Sequence, residues 1–91
     1  MNRFSVVKRY IDELDYYGLL ASDAPDDEYD SESRLISNSI TESSTIQEIA
    51  SIIAGVFNRQ FSDSLKPYWF IGCAGQIYRD LHKTDTKVSK T

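Results

Sequence analysis

Residues 44–61, STIQEIASIIAGVFNRQF (Ser44 to Phe61), decide the fold. Ile46, Ile49, Ala50, Ile53, Phe57 and Phe61 recur at the spacing of one helical face, and Ile52 and Val56 widen it. Ser44-Thr45-Ile46-Gln47 has capping-box spacing, which marks a helix start. The stretch predicts the best-defined helix of the chain and the centre of its core.

Working outward, Phe4, Val7, Ile11 and Leu14 form a second stripe, predicting a helix over 2–15 that Gly18 can end. Leu19 and Leu20 are then expected to tuck into the core. A loop over 21–26 is punctuated by Pro25, so the next helix is expected over 26–38, with Tyr29, Leu35, Ile36 and Ile40 as its apolar positions. Asp30 and Arg34 are placed as i,i+4 partners. Residues 41–45 form a polar hinge. Beyond the central helix, residues 62–66 make a short turn. Pro67 then suits a first helical position, and Phe70, Ala74, Ile77 and Leu81 carry a fourth helix to about His82. Gly72 and Gly75 each cost that helix about 1 kcal/mol, which a close backbone approach at Gly55 would offset. No segment alternates with period two. The expectation is an all-α, four-helix bundle-like single domain over 1–82, packed around the third helix, with a flexible polar tail over 83–91.

Ninety-one residues suit one domain with a small core. Hydrophobic residues make up 41% and charged residues 26%, a globular balance that fits neither a disordered nor a membrane-embedded chain. The net charge of −4 disfavours a general electrostatic grip on nucleic acid. One Cys excludes an internal disulfide and a cysteine-rich metal site. Residues 1–9 lack a secretory apolar run, and no stretch approaches a membrane span, so the expected compartment is the cytoplasm.

Charge is segregated along the chain. Asp12, Glu13, Asp15, Asp23, Asp26, Asp27, Glu28, Asp30 and Glu32 fall in one span without a base, whereas residues 59–91 carry six bases and three acids. Acids near a helix start stabilise it through the helix dipole, but that effect fades within a turn and covers only some of the nine. The rest make either a solvated face or a surface for a basic partner. An EF-hand loop starting at Asp26 fails at Ser31 and Ser37, where Gly and Glu are required, so no metal site is expected.

Candidate catalytic groups are few. Cys73 and His82 lie on opposite sides of one predicted helix, so they do not pair; Cys73 reads as a core residue and His82 as a helix-end residue. The four Gly are scattered and form no phosphate loop. Neither a catalytic residue nor a cofactor is expected. The six Tyr exceed what so small a core holds. Tyr16 and Tyr17 follow acids directly and Tyr29 sits among them, a mixture suited to protein binding. The alternative is that half of them cap the core with their hydroxyls in water. Tyr68-Trp69-Phe70, backed by Ile71, reads mainly as core.

The segments Asp15-Tyr16-Tyr17-Gly18-Leu19-Leu20 and Ala24-Pro25-Asp26-Asp27-Glu28-Tyr29-Asp30-Ser31-Glu32, with Phe57 and Phe61, resemble a family of small bacterial all-helical proteins of unknown function. Tyr16 stands where that family usually has Pro. A similar signature occurs among toxin-immunity proteins. The resemblance implies an all-α fold without assigned catalysis, and a motif that either caps the second helix or contacts a partner. The combined expectation is a non-enzymatic immunity protein that neutralises a cognate toxin, a basic nuclease domain. Its contact residues would be Asp23, Asp26, Asp27, Glu28, Tyr29 and Asp30, with Tyr16 and Tyr17 as aromatic anchors and no direct contact with nucleic acid or membrane. The rival expectation is a regulatory domain that binds another protein or self-associates through Tyr68 and Trp69.

Overall fold

The computed structural model describes residues 2–18, 20–21 and 27–82. The expected contact residues Asp23 and Asp26, the core position Leu19 and the tail over 83–91 lie outside them. Four helices follow in order: α1 (Arg3–Leu14), α2 (Asp30–Ser39), α3 (Ile46–Phe61) and α4 (Ile71–Leu81), with a single 3-10 turn at Pro67–Phe70 feeding α4. The all-α class and four-helix architecture are as the sequence predicts.

The helices form a ring rather than a sheath around α3. α2 and α4 each touch both α1 and α3, while α1 and α3 face each other across the diagonal. The core is the shared interior. It holds Val7 and Ile11 of α1, Ile36 of α2, Ile53 and Phe57 of α3, and Ala74 and Ile77 of α4. α3 keeps the predicted face, with Ile49, Ala50, Ile53 and Phe57 buried and Ile46 and Phe61 at its margins. Its start is one residue later than the Ser44 box. Thr45 accepts from the Glu48 amide while the Glu48 carboxylate accepts from the Thr45 amide. The Ser44 hydroxyl is spent on the Thr41 amide inside the hinge.

Three other expectations shift for physical reasons. α1 stops at Leu14 because Asp15 itself takes the left-handed conformation (φ 43°), so Gly18 (φ 69°) closes the following turn instead of the helix. Tyr10 takes the core position expected of Leu14, which is exposed. α2 starts at Asp30 rather than 26, and its inward face is filled by Tyr29, Glu32, Ser33 and Ile36 while Leu35 is exposed. Asp30 pairs with Lys8 at 2.7 Å and not with Arg34, whose guanidinium lies 4.6 Å from the Phe4 ring centroid. The expected glycine contact is absent: a Cβ at Gly55, Gly72 or Gly75 would meet nothing within 4 Å.

Candidate functional site

Two features meet at one end of the bundle, where α1 and α3 finish and α2 and α4 begin. The first is built on Asp15. Its carboxylate accepts from the Leu20 amide (3.1 Å), the Ala21 amide (3.0 Å) and the Tyr29 hydroxyl (2.8 Å). The Tyr29 hydroxyl in turn accepts from the Tyr17 amide at 3.2 Å. These charge-assisted bonds on one carboxylate bind the turn after α1 to the start of α2. The Tyr29 ring is fully buried and stacks on Phe57 with centroids 6.2 Å apart.

This geometry corrects one member of the expected contact set, Tyr29. Tyr29 has no surface to offer a partner, because its ring is core and its hydroxyl closes the Asp15 turn. Asp30 is tied down with Asp12 through Lys8, whose ammonium donates to both carboxylates at 2.7 and 2.8 Å. Those two hydrogen bonds, Asp12 first, hold the ammonium well above the usual lysine range. Tyr17 is half-buried against Phe61 (4.3 Å) and donates to Asp63 at 2.9 Å. Burial first and Asp63 second push its phenol upward. Asp27 and Glu28 are exposed, and Tyr16 keeps 39% of its surface exposed while its ring rests on Phe70 (5.4 Å).

The second feature is the 3-10 turn, which corrects the reading of Tyr68-Trp69-Phe70 as core. Only Phe70 is buried; it meets Phe57 edge-on at 5.7 Å. Tyr68 is 67% and Trp69 50% exposed. A 3-10 turn advances about 120° per residue, so pointing Phe70 inward turns its two predecessors outward. The turn is firmly held. Pro67 fixes its first residue and the Trp69 amide donates to the Lys66 carbonyl (3.1 Å). The Asn58 side chain grips Leu65 just upstream, donating to its carbonyl at 3.1 Å and accepting from its amide at 2.7 Å. Helical phase alone could have flagged Tyr68, which falls on the far side of Phe70.

No family model, curated protein or solved structure matches this chain.

The opposite end carries a polar cleft of about 750 Å³ between α1, α2 and α4. Arg3 borders it and donates to the Ser37 and Ile40 carbonyls, so its cation is already used in closing α2. His82 sits there with its ring 4.4 Å from Tyr78, far along α4 from Cys73. Cys73 is buried under α1, and burial first and Glu13 second push its thiol up to about 12. A thiol in that state is not a nucleophile near neutral pH. Among the described residues no group of three or more His, Cys, Asp or Glu is arranged to hold a metal ion, and no helix is long and apolar enough to cross a membrane.

Proposed function

We propose that this chain is a non-enzymatic immunity protein of the cytoplasm, which binds a cognate bacterial toxin and blocks it. The toxin is a basic nuclease domain, covered at its active site or substrate groove by the end of the bundle where α1 and α3 finish. The carrying observation is what this end exposes: Asp27 and Glu28, which lie in the chain just before Tyr29, and at the same end of the bundle Tyr16 and the outward-facing Tyr68 and Trp69. Acids around aromatic contact area fit a partner that presents positive charge, since complementary fields speed encounter and fix partner choice. The resemblance of the Gly18-Leu19-Leu20 and Asp27-to-Asp30 segments to immunity sequences points the same way. No cofactor enters this mode of action, and the contact is with protein rather than with nucleic acid or membrane.

Co-expression with the toxin domain encoded beside its gene tests the reading. Restored growth is the expected result. Growth arrest that the chain does not relieve, or a locus without such a toxin, counts against it. Exposure of Tyr68 and Trp69 also favours a second reading, a regulatory domain that self-associates. Sedimentation of the pure chain separates the two: a stable dimer lost in Trp69→Ala favours the second.

A further inference from the structure

We draw no further inference here: the strongest candidate, the exposed Tyr68 and Trp69 of the 3-10 turn before α4, carries nothing because nothing in the structure shows what covers it.

Discussion

In the acidic segment, Asp15, Tyr29 and Asp30 are engaged by the fold, while Asp27 and Glu28 are exposed. Asp15 closes a turn, Tyr29 fills the core and Asp30 shares Lys8 with Asp12. The aromatic turn faces outward, with only Phe70 committed to packing. Composition reports what a side chain can bind; local backbone geometry decides whether the fold or a partner receives it.

The largest expected effect tests that comparison directly. Tyr29→Ala should destabilise the fold by about 3–5 kcal/mol through lost packing and a cavity beside Phe57, whereas Trp69→Ala should cost under about 1 kcal/mol. Urea unfolding of both variants measures the contrast, and equal losses would break it. Next in size, Asp15→Ala leaves two backbone amides and the Tyr29 hydroxyl without their acceptor, for about 2–3 kcal/mol. Against the 5–15 kcal/mol typical of a folded domain, that is a large share for one surface-proximal acid.

Alkaline pH should loosen the inward-facing side in a set order. Cys73, Lys8, Tyr10 and Tyr17 all hold their protons more tightly when folded, through burial for Cys73 and Tyr17 and through hydrogen bonds to Asp12 and Asp80 for Lys8 and Tyr10. The unfolded chain therefore releases protons first as pH rises, and stability falls. The Cys73 contribution is fully present below about pH 9 and declines by up to about 1.4 kcal/mol per pH unit until the folded thiol titrates. The Tyr and Lys contributions begin to decline near pH 10. A urea midpoint that holds constant from pH 8 to 11 would contradict these directions. The smallest effect is a gain. Ser33 is buried, and its hydroxyl has no hydrogen-bond partner among the described residues, so Ser33→Ala should stabilise α2 by about 1 kcal/mol, read as a rise in melting temperature.

Periodicity in the sequence carried the helices and most of the core. α3 was the most legible, because Ile49, Ala50, Ile53 and Phe57 repeat cleanly, although its capping box is Thr45 with Glu48, one residue beyond the Ser44 box. α2 was less so, since Glu32 and Ser33 occupy inward positions that an apolar pattern cannot reveal. At the candidate site the structure departs from the reading at Tyr29, which is buried, and at Tyr68 and Trp69, which are exposed. Tyr29 follows the same spacing as Ile36 and Ile40, seven and eleven residues on, a core signal outweighed by its acidic neighbours. Tyr68 and Trp69 were grouped with Phe70 by adjacency, although neighbouring positions on any helix face different ways. The Asp15 turn had no signal in the pattern, because it depends on a left-handed aspartate whose partners lie up to fourteen residues away.

The Tyr10–Asp80 hydrogen bond spans 70 residues, so docking α1 on α4 closes the longest loop in the bundle and carries the largest entropic cost. Cys73 lies beneath that seam, its Sγ 3.8 Å from the Tyr10 carbonyl oxygen. Its thiol is thus a built-in clock: each modification event by a disulfide reagent records one departure of α1, and Tyr10→Phe should make the clock run faster while α2 and α3 stay paired.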